Sequence, residues 1–160
     1  MSIELILADY NNEQQGKDLV MLLNAYATDP MGGGTELADF TKQNLVKTLA
    51  NRMDAFTVLC YVDGEPAGLI NSIEGFSTFS CKPLINIHDV VVLPTFRGLG
   101  LSKKMFAKVE SEAVSRGCCK LTLEVLEGNE VAKNAYIKIG FSGYELDPET
   151  GKAMFWEKKL

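Results

Sequence analysis

Apolar residues along the chain change their spacing several times, and each change marks an element. Ile3-Glu4-Leu5-Ile6-Leu7 predicts a short strand, and Asp9-Tyr10-Asn11-Asn12 after it predicts a turn and helix cap. Leu19, Val20, Leu22, Leu23 and Tyr26 then form a helical stripe, broken by Asp29-Pro30-Met31-Gly32-Gly33-Gly34. Thr35 is predicted to open a second helix carrying Leu37, Phe40, Leu45, Val46 and Leu49. From Phe56 the β-formers take over. Residues 56–62 run into Asp63-Gly64, a two-residue hairpin signal, and return as Ala67 to Ile73; Leu84 to Leu93 is a third strand, ended by Pro94.

The clearest helix follows. Leu101, Met105, Val109 and Ala113 recur every four residues among Lys103, Lys104, Lys108 and Glu112, and Gly117 stops the pattern. Leu121 to Val125 predicts a strand, Asn129 to Lys138 a helix closed by Gly140, and 141–146 with 153–157 a terminal hairpin. The order βααβββαβαββ, with neither linker nor repeat, predicts one mixed α/β (α+β) domain over residues 1–160.

Composition agrees with a folded, water-facing protein. The 160 residues are 46% apolar and 23% charged, enough for one core without staples. Neither a leader-like N-terminus nor a membrane-length apolar run is seen, so no membrane association and a cytoplasmic location are expected. Cys60, Cys81, Cys118 and Cys119 lack metal-ligand or redox spacing, and with one histidine in the chain no metal site is expected. A net charge of −5, from 16 basic and 21 acidic residues, argues against nucleic acid and suits a cationic substrate.

Candidate chemistry centres on Arg97-Gly98-Leu99-Gly100-Leu101-Ser102, a strand-to-helix turn. The first N–H groups of a helix have no partner within it, and glycines let the main chain approach an anion. The phosphate-loop pattern fails for want of Gly-Lys-Ser/Thr, and the dinucleotide fingerprint fails at Lys103, where its third glycine belongs. Two glycines alone are equally consistent with a plain tight turn.

Context adds to this. The strand Val90-Val91-Val92-Leu93-Pro94, the turn and the amphipathic helix together resemble the coenzyme A motif of the GNAT acyltransferase superfamily, Arg/Gln-x-x-Gly-x-Gly/Ala, with Ser102 in place of the last Gly or Ala. A second block, Asn129-x-x-Ala132-x-x-x-Tyr136 followed by Gly140-Phe141, is similar to the family's downstream motif, and the element order resembles its fold over nearly the whole chain. The resemblance implies a mostly antiparallel sheet of about seven strands with helices on both faces. It implies acetyl-CoA as co-substrate, with cofactor contacts from Val90, Val91, Val92, Arg97, Gly98, Leu99, Gly100, Leu101, Ser102, Asn129 and Tyr136. The Val90 N–H would face the thioester oxygen, and Tyr136 would protonate the departing thiolate.

A protonated amine must lose a proton before it attacks, and His88 is the only side chain whose ordinary pKa lies near neutrality. Regular alternation would put Asn86, His88, Val90 and Val92 on one face; a bulge would instead present Asp89, and Glu124 is a third candidate base. The expected reaction is acetyl transfer by direct attack of a primary amine, with a small amine or polyamine favoured. The strand around His88-Asp89 is distantly similar to that of diamine and thialysine acetyltransferases. A protein or peptide N-acetyltransferase and a non-catalytic acyl-CoA sensor are the alternatives. Phe155 and Trp156 offer apolar surface that a homodimer could cover.

Overall fold

A computed structural model describes the backbone of all 160 residues and every side chain except those of Glu145 and Leu146. By packing, the chain divides into two compact units, Met1–Leu123 and Glu124–Leu160.

The first unit is built on one five-stranded sheet. Its strands are β1 (Ile3–Leu7), β2 (Ala55–Val62), β3 (Glu65–Ser77), β4 (Lys82–Val92) and β5 (Leu121–Leu123), side by side in chain order. The first four are antiparallel neighbours. The β2–β3 hairpin turns at Asp63 and Gly64, both with positive φ, as a tight two-residue connection demands. β5 runs parallel to β4, so the chain must cross over, and helix α3 (Leu101–Ser115) makes that crossing.

Helix α1 (Glu13–Thr28) begins where the Asn12 side chain accepts the Gln15 N–H. Leu19 and Leu22 of α1 are fully buried against Leu59, Leu69 and Val91, which lie side by side on β2, β3 and β4. Strand alternation sends Val58, Cys60 and Ile70 to the opposite face. There the Met105 methyl of α3 sits 3.1 Å from where a Gly68 Cβ would be, and Arg116, capping α3, stacks over Phe56 at 4.7 Å. Helices thus cover both faces. All four residues of the α3 stripe, Leu101, Met105, Val109 and Ala113, are buried, and Phe106 joins them. Each of the larger side chains, Leu101, Met105, Phe106 and Val109, contributes about 1.5–3 kcal/mol when fully taken from water.

Helix α2 (Asp39–Ala50) starts four residues later than Thr35. The Thr35 N–H is taken by the Ala27 carbonyl at 3.0 Å, which holds residue 35 in the connection. Phe40 stays 76% exposed and is no part of the core.

The second unit holds α4 (Glu130–Ile139) and two short strands, β6 (Glu145–Asp147) and β7 (Gly151–Lys152). Asn129 caps α4 by accepting the Ala132 N–H at 3.2 Å, and Gly140 closes it with φ +111°. β6 and β7 pair only with each other, as a separate two-stranded sheet. The expectation of one sheet of about seven strands is therefore corrected to five strands plus this small pair. Three and two residues around a polar turn give little to extend a ladder, and Phe155 and Trp156, expected in a strand, lie beyond β7 and are exposed.

Candidate active site

The C-terminal end of β4 and the turn that follows it form the first part of the site. Gly98 and Gly100 both take left-handed backbone angles, φ +82° and +70°, which glycine adopts freely. A Cβ built on either would meet no protein atom within 4 Å, so the space beside both is open. Gly100 provides no side-chain cap to α3. Among the described residues no acceptor pairs with the backbone N–H groups of Gly98 through Lys103; the first helical bond to cross the boundary is Lys104 N–H to Gly100 carbonyl. These free donors, in front of a helix dipole, fit a phosphate group. Leu101 anchors the turn from below, 2% exposed, while Leu99 and half-buried Ser102 border the open side.

Arg97 lies across the end of β4. Its Nε donates to the Val92 carbonyl at 3.4 Å and its Nη2 lies 3.8 Å from Asp29 Oδ2, with the side chain 60% exposed. Both contacts are long, and the guanidinium remains available to an anion.

The second part is the open edge of β4. Its pairing with β5 covers only Ile85 to Ile87. Leu93 donates its N–H to Ala67 on the β3 side, so by the period of two Val91 also turns its main chain to β3. The N–H and C=O of Val90 and Val92 therefore point the other way, along the stretch that β5 leaves unpaired. Val91 differs from these two: its main chain is used by the sheet and its side chain by the core.

The third part comes from a break in register. Asn71 pairs with Asp89, whereas the next residue, Ser72, pairs with Ile87, so His88 is an extra residue in β4. The predicted alternation of Asn86, His88, Val90 and Val92 fails at this bulge. Asn86, Asp89 and Val91 share the face under α1, Val90 and Val92 face α3, and His88 is exposed.

Asp89 is half-buried in line with Asn71 and Thr57. Its Oδ2 accepts Asn71 Nδ2–H at 3.0 Å; Asn71 Oδ1 accepts the Thr57 hydroxyl at 2.6 Å; and Thr57 Oγ1 lies 2.9 Å from the Tyr10 hydroxyl. Burial pushes the Asp89 carboxyl above its ordinary pKa, against the opposing effects of the Asn71 hydrogen bond and the His88 charge. Tyr26 of α1 is raised as well, by burial and then by the negative charges of Asp89 and Asp29, so all three lie within electrostatic reach. Tyr10, Thr57 and Asn71 were not among the predicted site residues. One signal could have found two of them: Thr57 and Asn71 are polar side chains inside otherwise apolar strands.

Within the second unit, Tyr136 lies on α4 with its ring edge-on to Phe141, centroids 6.1 Å apart, and the Phe141 N–H returns to the Tyr136 carbonyl. Asn129 is engaged as the α4 cap. Glu124, the third candidate base, is exposed. No His/Cys/Asp/Glu group among the described residues could hold a metal ion, and no helix is long and apolar enough to cross a membrane.

Comparison with known proteins gives this geometry a setting. The thialysine N-epsilon-acetyltransferase of Bos taurus is 38% identical over 81 residues, 48% of this chain and 48% of that protein. The aminoglycoside N(6')-acetyltransferase type 1 of Salmonella typhimurium is 25% identical over 78 residues, 49% and 50% of the two chains. The chain thus spans about half the length of the curated relatives it matches. A solved aminoglycoside N-acetyltransferase in complex with CoA shares the fold, with a TM-score of 0.76 and 16% identity, over 99% of this chain and 96% of that one. The model of the Acetyltransferase (GNAT) family matches residues 19–141, which include the later part of α1, the whole of β4, the glycine turn and α4, and the chain belongs to that family.

Proposed function

We propose that this chain is an N-acetyltransferase that moves the acetyl group of acetyl-CoA to a primary amine, a small amine or polyamine, by direct attack. The observation that carries the reading is the arrangement on β4: a main-chain edge at Val90 and Val92 that β5 leaves without a strand partner leads into a turn of free N–H donors, and a half-buried carboxylate, Asp89, sits one residue before that edge. Membership of the family supports the same chemistry. The family match also runs through residue 123, where the packing units divide, and supports residues 19–141 belonging to one family domain.

Bound acetyl-CoA would supply an acyl carbon attached to a thiol leaving group. The N–H groups of residues 98–103 and the Arg97 guanidinium would hold its pyrophosphate, and the Val90 N–H would stabilise negative charge on the thioester oxygen, a contribution of about 3 kcal/mol for a preorganised donor. Asp89 would take the proton from the ammonium. Its raised pKa suits it to that role better than an ordinary aspartate, and the exposed His88 is left as a neighbour of the base. Tyr136 and Asn129 keep the roles that the family motif implies, proton donor to the thiolate and cofactor contact.

Direct attack is supported by the absence of any cysteine in a motif that would activate it, and burial raises the pKa of two of the four thiols, Cys60 and Cys118. An amine acceptor is supported by the net charge of −5 and by the negative charges of Asp89 and Asp29, both within electrostatic reach of Tyr26. The thialysine and aminoglycoside relatives also act on amines, as their names state. The test is a panel of diamines, polyamines, amino acids, aminoglycosides and peptides with acetyl-CoA, followed by thiol release. Turnover is expected with small cationic amines; turnover with peptides alone, or with nothing, would overturn the acceptor assignment.

A further inference from the structure

The file of polar side chains behind Asp89 crosses three strands through the interior, and its hydrogen atoms can be counted. Thr57 has one hydroxyl hydrogen, and it goes to Asn71 Oδ1 at 2.6 Å. The Tyr10 hydroxyl must therefore be the donor to Thr57 Oγ1. With its oxygen occupied in this way, Asn71 can present only Nδ2–H to Asp89. The opposite orientation would aim an amide oxygen at the carboxylate. An ionised Asp89 thus allows one direction for the whole file.

We propose that Tyr10, Thr57 and Asn71 are positioning residues for Asp89: they lock Oδ2 as an acceptor in the interior and leave Oδ1 to meet the amine. This rests on the reading of Asp89 as the base. Oδ1 takes no hydrogen bond from the described residues, yet the one sealed and unpartnered side-chain polar atom among them is Ser72 Oγ, so Asp89 Oδ1 reaches accessible space. Thr57 and Asn71 are 1% and 8% exposed, so water does not compete for their bonds. Tyr10 at the far end lines a groove of about 720 Å³ between α1 and α2 and gives the file an outer terminus. An amide cannot hand a proton along without changing its covalent form, so the file aims the carboxylate and does not conduct.

The ionisable groups around Asp89 are His88 beside it on β4, Tyr26 on α1, Asp29 just beyond α1 with its partner Arg97, and Tyr10 at the end of the file. None of them donates a hydrogen bond to Oδ2; Asn71 does. The file therefore makes a specific claim about Asp89 titration.

The experiment follows the Asp89 carboxyl carbon by NMR against pH in the ligand-free protein. Asn71→Leu is expected to move its titration up by about one pH unit, because a donor to the charged form is lost. Thr57→Val, which keeps the shape but frees the amide, should move it up by about half as much, and Thr57→Ser should leave it in place. The acid limb of kcat against pH should follow the same order, with KM for acetyl-CoA unmoved. A titration at the wild-type pH in both Asn71→Leu and Thr57→Val overturns the proposal, even if both variants lose stability. If Asn71→Leu does not fold, the Thr57 pair decides alone. Failure of the base assignment looks different: Asp89→Asn would keep full turnover whatever the NMR titrations show.

Discussion

The two ends of the candidate site on β4 are made of different material. Beyond Leu93 the site is backbone: free N–H groups, two left-handed glycines and an exposed arginine. At Asp89 it is side chains: a carboxylate, an amide and two hydroxyls joined across β4, β3, β2 and the segment after β1. A backbone cradle binds whatever phosphate arrives and tolerates many side chains around it. A buried side-chain file depends on each member. The first arrangement suits a cofactor held in common by many relatives, and the second suits the step particular to the reaction.

The largest effect is expected at the side-chain end. Asp89→Asn should lower kcat/KM for acetyl transfer about a thousandfold, within the range of a lost general base, while calorimetry finds CoA affinity unchanged. Because burial raises the folded pKa, wild-type activity should fall as pH drops through a value above the ordinary 3.8. The sign for stability is the reverse of a salt-bridged aspartate. The folded state holds the Asp89 proton more tightly than the unfolded state, so ionised Asp89 destabilises the fold; that cost is absent below 3.8 and fully present above the raised value. Asp89→Asn should therefore be at least as stable as wild type at neutral pH. A less stable variant in thermal unfolding would contradict this.

At the backbone end a smaller and opposite split is expected. Gly100→Val forces a β-branched residue to φ +70°, strain of about 1–2 kcal/mol, and should weaken CoA binding about tenfold. Turnover at saturating acetyl-CoA should change little. Equal loss of kcat and affinity would erase the division of labour between the two ends. The smallest effect is expected between them: His88→Ala should change kcat/KM less than about threefold, because the bulge turns that side chain to solvent. A hundredfold loss would return the base role to His88.

The same division explains what could be read from the sequence. The turn is a local pattern: Arg97, Gly98 and Gly100 carry their conformational meaning in six residues, and the Leu101–Ala113 stripe records its buried face in its own spacing. The file is not local. Tyr10 and Thr57 are 47 residues apart, Thr57 and Asn71 14, Asn71 and Asp89 18, and only strand pairing brings them together. The pairing itself hinges on one inserted residue, His88, which moves Asp89 and Val91 onto the face that a regular strand would have given to His88 and Val90. A bulge is named by no residue type, so Asp89 and His88 could not be ranked before the register was known. The start of α2 was misplaced for a related reason: the Ala27 carbonyl, seven residues before the triple glycine ends, captures the Thr35 N–H.

The most direct test of the account is a single-turnover reaction with acetyl-labelled acetyl-CoA and the best amine of the panel, quenched over time and resolved into protein and small molecules. Direct transfer predicts label appearing on the amine nitrogen as thiol is released, with none on the protein at any time. Label passing through a cysteine of the chain, or CoA binding with no transfer to any amine, would contradict it.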